Sequence, residues 1–531
     1  MNRLYLTAAV AALALGTQAQ AESLAIALKT EPNSIDPHFN YSAVNIAPLS
    51  NIYDPLVESD AVKKPIPALA TSWTALDDLR WEIKLRQGVT FHDGSPLTPR
   101  DVVYSWCRAP LIENSPSSYA TFVNKMASIE IVDDSTLIFT TKEPNPLMWS
   151  DLSQIFIISA AKMGAEETVT FGAEGCTGMG EVPQSAVFSD LGYAMGTGPY
   201  KVTEFNRGEA LRLEAYDGFW GDKPDYDDVT IRTISSDGPR VAALLAGDVQ
   251  LIESPPIQDI ERIKGEGFKT TETKSARVIY LQLRQDMTET PPMMEAEGNP
   301  LHDQRVRQAI SYAINRQGIV DRIMGGYAEA AGELLAPPMF GTTGRAVDPY
   351  DPEKAKALLA EAGYGDGFKV TLGAPNDRYV NDERVAQAIA QMLTQVGITT
   401  DVDATTASQF FSRRNKLDFG MFMAGWGSSS GDTSSPLNAM VATANKDIGA
   451  GGWNYGRYSN PVVDEKIAKA LVTVDDAERE KLLQEAETIA LDEFGILPLH
   501  YELTVWAMAP EVHYEPRSDQ RTAAYLVEKA E

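Results

Sequence analysis

Cysteine is nearly absent from this chain, with two in 531 residues. That excludes a disulfide-dense scaffold and a cysteine-built zinc module. Histidine is scarce as well: His38, His92, His302, His500 and His513 are scattered. No two of them stand at the i, i+3 or i, i+4 spacing that puts two metal ligands on one helix face. Positive charge is in deficit, with 46 Lys+Arg against 74 Asp+Glu and a net charge of −28. Such a balance argues against duplex nucleic acid and against an anionic lipid surface, both of which call for clustered basic residues. Beyond the first residues no apolar run approaches the roughly 20 residues needed to span a bilayer. Catalytic signatures are missing too. There is no G-x-S-x-G elbow and no P-loop, and Gly196-Thr197-Gly198 is too short for a dinucleotide loop. Adjacent acids such as Asp77-Asp78 and Asp133-Asp134 read as solvated turns in so acidic a chain. No catalytic residue, metal or cofactor is expected, and the chain reads as a non-enzyme.

The remaining composition is that of a globular protein: 44% apolar residues, enough for large cores, on a length that suggests two to four domains. Residues 1–21 read as a secretory signal, with Arg3, an apolar run over 4–15 and the small-x-small site Ala19-Gln20-Ala21. The run is too short to cross a membrane, and no cysteine follows it to carry a lipid. A mature chain starting near Glu22 is extracytoplasmic, and periplasmic in a Gram-negative source. In an oxidising compartment Cys107 and Cys176 are either one disulfide or two free thiols, since the sequence does not give the geometry that the bond requires.

Hydropathy patterning mixes strands and helices. Trp81-Glu82-Ile83-Lys84-Leu85-Arg86 alternates in strand fashion, as do Leu211/Leu213 and Val229/Ile231. Thr98 caps a helix with Pro99 at its first position and Asp101 three residues past the cap. Further on, Asp351-Pro352 opens a helix that Gly363 closes. Val385, Ile389, Met392, Leu393 and Val396 form one apolar stripe, stopped by Gly397. Leu482, Leu483, Ala486 and Ile489 form another. Short apolar runs at 369–372 and 419–424 predict strands between these helices. The expectation is an α/β protein with lobes whose sheets are covered on both faces. Residues 172–198 and 285–300 read as loops.

Several blocks together resemble the solute-binding proteins of ABC importers, of the large oligopeptide/dipeptide/nickel class (family 5). They are Glu31-Pro32-Asn33-Ser34-Ile35-Asp36-Pro37; Trp81-Glu82-Ile83-Lys84-Leu85-Arg86-Gln87-Gly88-Val89-Thr90-Phe91-His92-Asp93-Gly94; Leu97-Thr98-Pro99-Arg100-Asp101-Val102-Val103-Tyr104-Ser105; Gly196-Thr197-Gly198-Pro199-Tyr200; Tyr216-Asp217-Gly218-Phe219-Trp220-Gly221; Asp303-Gln304-Arg305-Val306-Arg307; and Tyr458-Ser459-Asn460-Pro461. The glycines and aromatics of these blocks read as turns and core, so most of the signature is scaffold. The resemblance implies a periplasmic-binding-protein-like α/β fold, two lobes joined by two hinge strands, with an extra subdomain in lobe I. Lobe I is expected over 22–271 with the extra subdomain at 53–189, lobe II over 272–501, and a return to lobe I over 502–531. Hinges are expected near 273–280 and 499–503.

The same resemblance directs attention to a few residues. Peptide binders of this class carry a Gly-Trp segment in lobe II and, three residues after the Trp, an Asp for the ligand ammonium. Here Gly425-Trp426 is followed at that position by Ser429, with Asp432 as the next acid. Ser offers a neutral hydrogen bond where Asp offers a charge-assisted one, roughly twice as strong. Trp426 is expected as a ligand platform. Arg378 stands where dipeptide binders grip the ligand carboxylate, a role suited to the bidentate guanidinium. Arg277 beside the hinge, and Tyr41 and Asn45 on the lobe I wall, complete the candidates. An Arg retained and an Asp lost point to a carboxylate-bearing, peptide-like solute that need not carry a free α-amine. An opine, an oligosaccharide or a metal chelate would suit the same fold, and a secreted hydrolase is the reading from another class. The implied partners are the solute and a membrane permease, with no nucleic acid, and the protein is expected to be a monomer.

Overall fold

The structure is a computed structural model and describes residues 22–530; the segment 1–21, expected from the sequence to be a secretory signal, lies outside them. Its main feature is a pair of long antiparallel strands, Lys269–Leu283 and Leu497–Met508, at the centre of a twelve-stranded sheet. On one side of the pair lie Leu251–Glu253, Ser23–Leu28, Asp228–Thr233, Ala210–Ala215 and Tyr200–Asn206; on the other lie Met421–Gly427, Phe368–Pro375 and Met294–Glu295. The register of the pair runs from Lys269↔Met508 to Lys274↔Leu503 and resumes at Val278↔Tyr501. Ser275, Ala276 and Arg277 therefore face Glu502 alone. Such a bulge bends and twists the ladder locally.

That bulge is where one core gives way to the other. Lobe I buries Ile26, Trp106, Tyr200, Ile231 and Trp506 together. Lobe II has a core on each face of its sheet. Ile279, Leu281, Leu372 and Ile389 fill one, and Val278, Tyr280, Leu437 and Leu483 fill the other. Consecutive residues of one strand serve opposite cores because strand side chains alternate. The molecule is thus two lobes joined by two strands.

The extra subdomain of lobe I is a six-stranded sheet ordered Ala70–Ala75, Arg80–Leu85, Thr136–Thr141, Met126–Asp133, Thr170–Gly172 and Gly175–Thr177. The helix Pro99–Arg108 packs on it, with Thr98 N–H donating to Asp101 Oδ2 at 2.8 Å. Cys107 on that helix is disulfide-bonded to Cys176, with Cα atoms 5.9 Å apart. The segment expected as a loop from 172 is more ordered than its Gly/Ser content suggests. It carries the strand Gly175–Thr177 and the short helical turns Ser185–Ser189 and Leu191–Tyr193.

The signature blocks brace lobe I. Arg108 and Asp36 form a fully buried pair at 2.9 Å, fixing the opening segment to the helix. His92 holds Gly198 O at 2.9 Å. Asp54 accepts from Thr197 Oγ1 and Trp220 Nε1, both at 2.8 Å, and burial pushes its carboxyl up to about 6. A Cβ at Gly196 would stand 1.9 Å from Ile52 O, so glycine is required there.

In lobe II the capped helices stand as their signals predict. Pro352–Glu361 has Asp351 accepting from Lys354 N–H, and Asp382–Gln395 buries Val385, Ile389 and Leu393. Met392 of the expected stripe is only half-buried.

Candidate functional site

Two connected hollows open where the lobes meet beside the bulge. The larger, about 520 Å³, is lined by Arg277, Arg378, Tyr379, Asn381, Glu502 and Lys29 among others. The smaller, about 280 Å³, is lined by Tyr41, Lys63, Arg277, Ser429, Asp519 and Arg521 among others. Arg277 and Gln520 border both. A third cavity of about 480 Å³ lies further along the seam, between the subdomain turn at Pro144–Leu147 and lobe II at Ser434 and Leu471.

Arg378 owes its position to a buried carboxylate. Asp382 Oδ2 accepts the N–H groups of Arg378 and Tyr379, each at 3.0 Å, and Oδ1 accepts that of Glu383 at 2.9 Å. Val380 N–H donates to Glu502 Oε1 at 3.0 Å, tying the loop to the second hinge strand. Tyr379 OH reaches Gly425 O at 3.2 Å. The Arg378 guanidinium lies 5.4 Å from the Tyr379 ring centroid, exposed to the larger hollow, and makes no ion pair among the described residues. Arg277, in the bulge itself, touches Glu502 only at 3.5 Å. A loop anchored on the buried Asp382 thus presents one guanidinium free for a carboxylate, and a second borders the same hollow.

The smaller hollow brings the two lobes into contact. Lys63 of lobe I donates from Nζ to Ser429 O of lobe II at 2.7 Å. Tyr41 packs edge-on to Tyr119 and Phe122, with centroids 5.5 and 4.8 Å away; burial raises its phenol, with Arg521 opposing in part. Behind them Arg517 holds Asp519 at 2.6 Å, and Arg521 holds Glu58 at 3.2 Å. Burial works against the charge on Asp519, but Arg521 and Arg517 prevail and hold it down at about 2.

Of the residues singled out from the sequence, Arg378, Arg277, Tyr41 and Ser429 come together here. Three do not. Asn45 is 1% exposed and bonds to Asn33, its Nδ2 reaching Asn33 Oδ1 at 2.8 Å; it shapes the opening segment behind the wall. Asp432 is 1% exposed and paired with Arg479 at 2.6 Å, so its charge is already neutralised away from both hollows. Trp426 pairs with Val278 in the sheet and points to the Val278 core, its indole donating to Ser435 Oγ at 3.3 Å and lying 5.4 Å from Trp453. The period-2 alternation explains this: Gly425 and Gly427 flank the cleft-side face, and Trp426 takes the other.

Sequence reasoning missed Lys63, Glu502, Asp519 and Arg521. Each lies far along the chain from the lobe II candidates, and no local spacing joins them. Among the described residues no group of three His, Cys, Asp or Glu is placed to hold a metal ion, and no helix is long and apolar enough to cross a membrane.

Residues 64–447 match the description of the bacterial extracellular solute-binding proteins, family 5. The chain belongs to this family. Among its relatives is the glutathione-binding protein GsiB of Salmonella typhi, 29% identical over 496 residues that span 92% of this chain and 90% of GsiB. Two solved structures share the fold of this family 5 protein. HbpA2 from Haemophilus parasuis superposes with a TM-score of 0.80 at 24% identity, covering 96% of this chain and 100% of HbpA2. DppA from Helicobacter pylori, solved in complex with the peptide STSA, superposes at 0.69 and 24% identity over 96% and 98% of the two chains.

Proposed function

We propose that this family 5 protein captures a peptide-like solute bearing a carboxylate between its lobes and delivers it, in the periplasm, to an ABC-importer permease. Its lobes would close about the bulge at Ser275–Arg277 and Glu502. Lobe I spans 22–271 and 502–531, lobe II 272–501, and the monomer is the working unit. The observation that carries this reading is Arg378: a guanidinium held by a rigid, buried-Asp loop, open to a 520 Å³ hollow and without an acidic partner among the described residues. A bidentate pair with a carboxylate satisfies it. GsiB, named for glutathione, and DppA, solved with a peptide, support a peptide-like cargo. Asp432, neutralised by Arg479, leaves the segment after Trp426 without a charge for an α-ammonium, which favours a solute that does not depend on a free amine.

Denaturing the purified protein and identifying the released solute by mass spectrometry tests this directly. A carboxylate-bearing peptide or conjugate is expected. Arg378→Gln should weaken its binding by about 30-fold or more, since losing one partner of a desolvated charge pair costs about 2–5 kcal/mol. A neutral solute, or unchanged affinity in the variant, would overturn the assignment.

A further inference from the structure

The smaller hollow is bordered by the Lys63 ammonium, which no carboxylate of the described residues meets in an ion pair. Lys63 is half-buried in a turn with φ 67, and it makes no ion pair among the described residues. Among the described residues its ammonium has a single hydrogen-bond partner, the neutral carbonyl of Ser429 across the cleft. The charged groups around it are Arg517 and Arg521, of like sign, and Glu58 and Asp519. Both carboxylates are already engaged: Asp519 by Arg517 and Arg521, and Glu58 by Arg521. Lys63, Arg517 and Arg521 thus stand around Glu58 and Asp519, with both carboxylates in ion-pair contact with arginine and neither with Lys63, and Arg277 borders the same space. An uncompensated ammonium taken from water is costly and calls for an anion. The turn that places it is built in. Asp60 Oδ1 accepts the N–H groups of Val62 and Lys64 at 2.9 and 2.8 Å, fixing the bend from which Lys63 projects. On the facing lobe Gly431 leaves room for the Lys63 side chain, since a Cβ there would stand 2.8 Å from Lys63 Cβ.

We propose that Lys63 is a second anion-binding residue, on the lobe opposite Arg378, and that the captured solute is a peptide-like dianion whose two acidic groups bridge the lobes. Arg378 receives one group in the larger hollow and Lys63 the other in the smaller, with Arg277 bordering both. This rests on the reading of the cleft as a carboxylate-binding peptide site, and deepens it. It also explains the Gly/Ser segment after Trp426, whose Ser429 carbonyl holds the ammonium toward the hollow and is joined there by the solute.

Isothermal titration with three probes tests the proposal: N-acetyl-Ala-Glu with two carboxylates, N-acetyl-Ala-Gln with one, and the C-terminal amide of the latter with none. The wild-type protein should bind the dianion at least tenfold more tightly than the monoanion, and the amide least. Lys63→Gln should erase the tenfold preference while retaining the monoanion's affinity; Arg378→Gln should lose affinity for both. Lys63→Arg, which keeps the charge, should keep the preference and confirms that any loss in Lys63→Gln is not misfolding. Burial lowers Lys63 to about 8, so in the wild type the preference should decay as pH rises beyond 8, and in Lys63→Arg it should persist. Equal binding of dianion and monoanion by the wild type, or a preference surviving in Lys63→Gln, overturns the dianion proposal and leaves the carboxylate site standing. Failure of all three probes to bind overturns both.

Discussion

Asp432 and Arg479 form a buried pair, 2.6 Å apart, with both side chains at most 3% exposed. Asp432 Oδ1 also accepts the Ser434 N–H at 2.8 Å, and the Arg479 guanidinium lies 4.1 Å from the Phe340 centroid. The acid that stands nearest in sequence to the ligand motif therefore holds a loop to a helix of lobe II. Removing one partner of such a pair leaves a buried charge and costs about 3–5 kcal/mol. Asp432→Asn should lower the unfolding free energy of the protein, measured by denaturant titration, by that order while solute affinity stays within twofold. A large affinity loss at unchanged stability would place Asp432 in the binding site after all.

The sequence and the structure part company for reasons visible in these residues. Caps, turns and stripes act over a few positions, so Thr98, Asp351 and the Val385–Ile389–Leu393 face announce themselves. The pairing of Lys269–Leu283 with Leu497–Met508 joins segments more than 200 residues apart, and only the family resemblance points to it. The site suffers most from this. Glu502, Lys63 and Arg521 reach it by chain topology alone, and each reads locally as an ordinary surface charge. Trp426 is misplaced by its motif, which fixes the strand and not which face of it looks into the cleft.

Glu487 gives the fold an alkaline weakness. It is fully buried in lobe II, its Oε1 accepting Leu334 N–H at 2.7 Å while Oε2 has no partner among the described residues. Burial, reinforced by nearby Glu333, pushes its carboxyl up to about 8. In the unfolded chain it titrates near the ordinary value of about 4.3. Between these values the folded state holds the extra proton, so stability falls as pH rises and this contribution is gone above about 8. Glu487→Gln keeps the acceptor for Leu334 and cannot ionise. Its Tm should exceed the wild type's by about 2 °C or more at pH 9, and the difference should shrink toward pH 5. Parallel melting curves across the range would show no connection if the two proteins differ by a constant amount.

The disulfide ties the helix Pro99–Arg108 to the last strand of the extra sheet across a sequence separation of 69. Chain entropy for a loop of that length sets its contribution at about 4 kcal/mol. Cys107→Ser with Cys176→Ser should therefore lower stability markedly and expose 170–177 to protease. Solute affinity should be nearly unchanged, because neither cysteine borders either hollow. Equal protease resistance in the oxidised and doubly substituted proteins would remove the disulfide from the stability account.

Gly431 offers a way to test closure itself. A Cβ there would stand 2.8 Å from Lys63 Cβ and 3.0 Å from its Cδ, and the backbone has φ +65. Ala at such a φ is strained by roughly 1 kcal/mol in either state of the lobes. The clash with Lys63 is different, for it exists only when the lobes meet. Gly431→Ala should therefore cost little stability but hold the cleft apart, raising the radius of gyration measured by X-ray scattering at saturating solute. Lys63→Gly suits the positive φ at that position and removes the opposing side chain. Combined with Gly431→Ala it should restore the compact form at saturating solute, although affinity stays low without the ammonium. If Gly431→Ala alone closes as the wild type does, the contact between Lys63 and the Gly/Ser segment does not limit closure.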